Sequence, residues 1–263
     1  MGNLLRVMCS RALINIRMLI GIICVALCIG IDSVDLLPKL FQKDSALDVH
    51  YFWFNAITYG GIYGKYFLAV IVTLPYSGDF CIEYMQGVWR YILMKSGRKC
   101  YAFAKYVACF ISGGSVAAAG GCFFIILASG NLELFLERRY VEIQMIPFAE
   151  LLMESPKKYF AIALYLLFLS GGLWSCIGYT ISCYFPFKYA VHMSPFLIAF
   201  IITRINVIFN IPNRLRIDYW YIGRTLPLDG KYGILVVSVV AIFIWCVLVW
   251  IFYKKVGWRQ EHE

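Results

Sequence analysis

Six stretches of this chain, residues 13–31, 57–74, 101–128, 159–183, 192–209 and 233–253, are predominantly apolar, and each is about as long as a helix that crosses lipid. A helix rises about 1.5 Å per residue, so a hydrocarbon layer of about 30 Å takes roughly 20 apolar residues. Hydrocarbon offers no partner to a backbone N–H or C=O, which leaves helices or closed barrels as spanning structures; runs of this length select helices. With 62% hydrophobic, 17% aromatic and only 15% charged residues, the 263-residue chain has too little polar surface for a water-soluble globule. The expected fold is all-α, one polytopic membrane domain with six transmembrane helices.

The first run is expected to stay in the mature chain: no small-x-small cleavage site follows it, and Asp32 and Asp35 come directly after. Six spans put both termini on one side, with the loops around 75–100 and 184–191. That side holds half of the 24 Lys and Arg, so the bulk count decides nothing. Position decides. Arg6, Arg11, Arg17, Arg90, Lys95, Arg98, Lys99, Lys254 and Lys255 crowd the ends of spans, where the positive-inside bias is read. Both termini are expected in the cytosol, with the protein in the plasma (cytoplasmic) membrane. The ten cysteines all fall in spans or on the cytosolic side, as expected for segments kept from an oxidising compartment.

The chemistry that the chain lacks narrows its function. It has no GxxxxGK[ST] phosphate loop, and its longest extramembrane stretch, 129–158, is too short for a nucleotide-binding fold. No Asp or Glu falls within the six runs, where an ion-coupled carrier would place one. His50, His192 and His262 are far apart, and no HExxH, CxxC or Cys/His cluster at ligand spacing exists, so no metal site or cofactor is expected. The chain is not expected to be an enzyme. Lys65, Lys105 and Arg204 are the basic residues within the runs. Lys105 and Arg204 are placed to snorkel to the headgroups, while Lys65 either lines a polar pathway or marks an interfacial start to the second span.

Residues 79–96 are too charged to span. Ser77 or Asp79 can cap the start, Glu83 suits the positive end of a helix dipole, and Ser96-Gly97 supplies a stop. On a helical wheel Glu83, Gln86, Gly87 and Arg90 share one face, opposite Tyr84, Met85, Val88, Trp89 and Ile92. The expectation is one surface helix of about four turns with that polar stripe turned outward. A plain surface anchor is the alternative.

Glu83, Gly87 four residues on, Arg98 after a turn and Lys105 opening the third run resemble the cytosolic elbow of type 2 ABC exporter membrane subunits. The resemblance covers the chain in outline and residues 80–105 in detail. A stripe of Asn3, Arg6, Ser10 and Arg17 against Leu4, Leu5, Met8 and Ala12 is similar to that family's N-terminal amphipathic interfacial helix. The aromatic and basic segment 210–231 is similar to its outer-leaflet helical pieces. One departure is Ser96-Gly97, where members often carry Pro before the residue matching Arg98.

The resemblance implies that 79–96 is a coupling helix docking into a cytosolic ATPase subunit, with Glu83, Gln86, Gly87, Arg90, Arg98 and Lys105 as coupling residues. It implies a permease that forms a homo- or heterodimer and binds two ATPase subunits, which carry ATP and Mg. It further implies contact with membrane lipids and export of a cargo, with no nucleic acid among the partners. An amphipathic peptide, lipid or drug suits the apolar spans and aromatic outer edges best. The alternatives are a non-transporting membrane interaction or immunity protein and an intramembrane hydrolase. Small-residue faces, Gly113/Ala117/Gly121 and Gly171/Ser175/Gly178, are expected to pack within the subunit.

Overall fold

The computed structural model describes residues 2–32, 47–58, 61, 66–136, 147–228 and 230–262. All regular structure among them is helical. The N-terminal α1 (Gly2–Leu13) meets α2 (Ile16–Ile31) at a bend of 49°. Asn15 causes that break: its backbone is extended, and its side chain caps the new helix by accepting from Arg17 N at 3.1 Å. Met8 and Ala12 are buried, so the apolar stripe of α1 lies on the bundle.

Among the described residues four helices are long and apolar enough to cross a membrane, five if the bent α1–α2 pair counts as one span. The second run differs from expectation. Before it come α3 (Val49–Trp53) and a π-helical turn (Phe54–Thr58) that reaches its first residues; among its other described residues Gly61 is not helical and the single-turn α4 (Leu68–Ile71) follows. Turns then carry the chain through 72–78, held by Thr73 N to Val70 O and Leu74 N to Ile71 O, each 3.1 Å. Pro75 has no N–H to donate and disfavours helical geometry in Leu74, so tight turns replace the ladder there. Lys65 lies outside the described residues.

Beyond these turns come α5 (Asp79–Met85), α6 (Val88–Ser96) and α7 (Arg98–Ser129). Then follow α8 (Ala149–Glu154), α9 (Pro156–Ser182), α10 (Lys188–Ile208), α11 (Ile217–Tyr221) and α12 (Gly230–His262). Pro156 at the first turn of α9 needs no partner for its missing N–H, which makes it a starter there. The last run extends as helix well past Lys254 and Lys255 to His262.

Helix α7 is the hub, packed by α1, α2, α9 and α12. Its small-residue face meets that of α9 directly. A Cβ built on Gly113 would lie 2.3 Å from Ser175 Cβ, and one built on Gly171 2.6 Å from Ala117 Cβ. With little hydrophobic force between helices in lipid, close backbone approach supplies the packing energy, and only residues of this size permit it. On its other side Gly120 admits Val25 of α2, where an added Cβ would sit 2.5 Å from Val25 Cβ. At one end of α7, Phe80, Tyr106, Tyr179 and Phe252 pack with ring centroids 5.1–6.3 Å apart among the pairs in contact. That aromatic knot is the floor on which α5 and α6 rest.

Candidate functional site

The stretch 79–96 is two helices rather than one. Gly87 takes φ 70, a left-handed conformation that a side chain disfavours, and the chain turns there between α5 and α6. Gly97, at φ 77, makes the next corner into α7. No side chain caps α5: Gly78 occupies its N-cap, Asp79 is in its first turn, and the Ser77 hydroxyl is engaged with Ser175 O at 2.9 Å and Ser175 Oγ at 3.0 Å.

The turn at Gly87 redistributes the faces expected from a continuous wheel. Glu83 is 5% exposed, and its carboxylate points into the bundle. Oε2 accepts from the Tyr101 hydroxyl at 2.8 Å and Oε1 from Lys105 Nζ at 2.6 Å. Lys105 has no exposed surface; it does not snorkel outward but also binds Asp79 Oδ2 at 2.6 Å. The Tyr76 and Tyr101 rings lie 5.2 and 5.8 Å from its ammonium, adding cation–π attraction on two sides. Two carboxylates, buried Glu83 and partly exposed Asp79, share one buried ammonium and tie α5 to α7. Burial pushes the Tyr76 hydroxyl's pKa up while Lys105 pulls it back, and that hydroxyl meets Met8 Sδ of α1 at 3.3 Å.

The outward face carries the rest of the predicted set. Gln86, Gly87 and Arg90 are exposed, and Arg90 lies 5.4 Å over the buried Trp89. Met85, 76% exposed, Tyr91 and Met94 stand beside them, so this face is mixed rather than polar. Tyr84, Met85, Gln86, Gly87 and Arg90, with Pro186 from the α9–α10 connection, surround an open hollow. Arg98 points away from this hollow and binds Gln260 Oε1 and Glu261 Oε1 of α12, each at 3.2 Å. Arg259 stacks on Tyr84 at 4.4 Å and donates to Tyr184 O at 3.4 Å. The end of α12 therefore braces the elbow from below. Arg204 is far from this site in the fold, exposed on α10 and 4.9 Å over Phe200.

No family model, curated protein or solved structure matches the chain.

Sequence reasoning missed Asp79, Tyr101 and Arg259 as members of this cluster. A signal was present for two of them. Asp79 and Glu83 are four residues apart, as are Tyr101 and Lys105, so each pair shares a helix face, and two such faces across a tight corner can meet. Among the described residues no group of three or more His, Cys, Asp or Glu is placed to hold a metal. Burial pushes the Cys81 thiol up to about 11 against a partial pull from Lys188, so it stays protonated near neutral pH and is no activated nucleophile.

Proposed function

We propose that this chain is the membrane subunit of an ATP-driven exporter of the type 2 ABC kind, worked by a separate cytosolic ATPase through the α5–α6 elbow. The observation that carries this reading is the asymmetry of the elbow. Its inner face is locked to α7 by Lys105, and its outer face leaves Gln86, Gly87, Arg90 and Met85 open around a hollow. An element rigidly joined to a membrane helix on one side and unfilled on the other is suited to pass a push inward.

In this reading Glu83 and Lys105 transmit force and do not touch the ATPase; Gln86, Gly87 and Arg90 are the contacts. Arg98 acts through the brace with α12. The α1–α2 pair, the broken second segment and the four long helices make six crossings, with both termini and the elbow in the cytosol of a plasma-membrane protein. Two copies, or one copy and a sister subunit, would bind two ATPase subunits that carry ATP and Mg. The exposed apolar faces of α2 and α10 suit a dimer seam. An amphipathic cargo suits the apolar spans.

The test begins with the tagged full chain purified from its native membrane, with co-purifying nucleotide-hydrolysing polypeptides identified and their ATP turnover measured. Arg90→Glu combined with Gln86→Ala is expected to lower stimulated turnover while insertion and thermal stability stay at wild-type values. Absence of any co-purifying ATPase, or equal stimulation by the variant, would overturn the reading and favour a non-transporting membrane interaction protein.

A further inference from the structure

The connection between α10 and α12 carries a charge pattern that the elbow does not use. Residues 209–231 contain Arg214, Arg216, Arg224 and Lys231 against Asp218 and Asp229, a net charge of +2 in a short stretch. These arginines stand on a built platform. Trp220 Nε1 donates to Arg214 O at 2.9 Å, and Asn206 Nδ2 of α10 donates to Asp218 Oδ1 at 2.7 Å. Thr225 Oγ1 donates to Asn213 O at 2.9 Å, which folds the Arg224 end of the segment back beside the Arg214 end. The Tyr219 ring lies 4.1 Å from the Arg216 guanidinium and 4.5 Å from that of Arg224, so both cations are held by one aromatic. Trp220 and Tyr221 in turn pack on Leu166 and Leu169 of α9, which roots the platform in the bundle.

Arg216 is 8% exposed, and its Nε makes no hydrogen bond among the described residues, with Asp218 Oδ1 at 3.8 Å. Around this basic centre, Phe209, Leu215 and Ile217 are exposed, Leu215 by 65%. Leu215 and Ile217 alternate with Arg214 and Arg216 along the chain, so groups that seek phosphate and groups that seek hydrocarbon stand side by side.

We propose that this platform is a binding site for an anionic phospholipid, its headgroup phosphate held by Arg214 and Arg224 beside Arg216, its acyl chains lying along Leu215 and Ile217. Charge complementarity favours an anion, since Arg214, Arg216, Arg224 and Lys231 outnumber Asp218 and Asp229, and guanidinium forks match phosphate oxygens. The adjoining apolar side chains favour a lipid over a free phosphate, because free phosphate in water gains nothing from Leu215 or Ile217. Aromatic and basic residues at a helix end are placed where headgroups lie. The inference does not depend on the elbow's role or on which side of the membrane this segment faces.

The test uses the purified full chain in a neutral detergent and a fluorescent short-chain phosphatidylglycerol, with binding read by anisotropy. Wild type is expected to bind it, unlabelled phosphatidylglycerol to displace it, and neither phosphatidylcholine nor millimolar inorganic phosphate to do so. Arg214→Gln with Arg224→Gln is expected to weaken binding about tenfold or more, since each basic residue near a lipid surface contributes about 1 kcal/mol. Leu215→Ser with Ile217→Ser, which keeps the charge, is expected to weaken it as well. A charge-matched control, Lys254→Gln with Lys255→Gln, is expected to bind as wild type does. Equal competition by phosphatidylcholine, displacement by inorganic phosphate, unchanged binding in the arginine variant, or equal loss in the control would each overturn the proposal.

Discussion

Lys105 Nζ lies 2.6 Å from Glu83 Oε1 and 2.6 Å from Asp79 Oδ2, so a single buried ammonium holds the elbow to the helix at the centre of the bundle. Taking these charges out of water costs several kcal/mol each, and their mutual contacts offset that cost only while all partners are present. Lys105→Met is therefore expected to destabilise the protein by about 3–5 kcal/mol, read as loss of thermal stability in detergent. Adding Glu83→Gln and Asp79→Asn to Lys105→Met removes the stranded charges and is expected to recover a large part of the loss. A triple variant no more stable than the single one would show that the ion cluster is not the source.

The second ion pair of the region sets a contrast. Arg98 and Glu261 meet at 3.2 Å, but their side chains are 32% and 63% exposed, and water competes for both. Glu261→Ala is expected to change stability by less than about 1 kcal/mol. A loss as large as that of Lys105→Met would contradict this ranking.

Gly87 is the corner of the elbow, and a Cβ there would meet nothing within 4 Å. The whole cost of Gly87→Ala is thus conformational, about 1–2 kcal/mol for forcing a side chain into the left-handed region. Gly87→Asn is expected to cost less, since Asn tolerates that region better. Thermal unfolding of the two variants side by side gives the order.

Gly113 presents the opposite case, with an ordinary helical backbone and no room. Gly113→Ala must push α7 away from Ser175 and Gly171 O of α9, and is expected to cost about 1–3 kcal/mol by overpacking. Ser175→Gly in the same chain opens space at the contact and is expected to return part of that loss. Strict additivity of the two would mean that the helices do not meet there.

Much of the architecture was legible in the amino-acid order. Long apolar runs at 101–128, 159–183, 192–209 and 233–253 became helices, because in lipid the backbone has no other partner and no tertiary contact is needed to decide it. The small-residue spacing on two of them likewise announced a close approach. The second run, expected as one helix closed by Pro75, is not one helix among its described residues: Gly61 is not helical and turns begin at Val72, because hydropathy measures composition and not continuity. The elbow was recognised as an element, and Gln86, Gly87 and Arg90 face outward as drawn, but Glu83 turned inward and Met85 and Val88 outward. A wheel assumes one unbroken helix, and one left-handed glycine, Gly87, ends that assumption.

What the amino-acid order determined by itself, then, is local: which segments are apolar enough for lipid, where prolines and glycines interrupt them, and which residues lie four apart. What tertiary structure alone decided is which of those faces meet. Lys105 was the same residue in either reading, a cation near the start of a long helix. Only the corner at Gly97, which folds α5 and α6 back over α7, brought Asp79 and Glu83 to its ammonium and turned a snorkelling side chain into a buried tie. Charges separated by some 22 residues in sequence find each other through chain geometry, and helical periodicity carries no information about that distance.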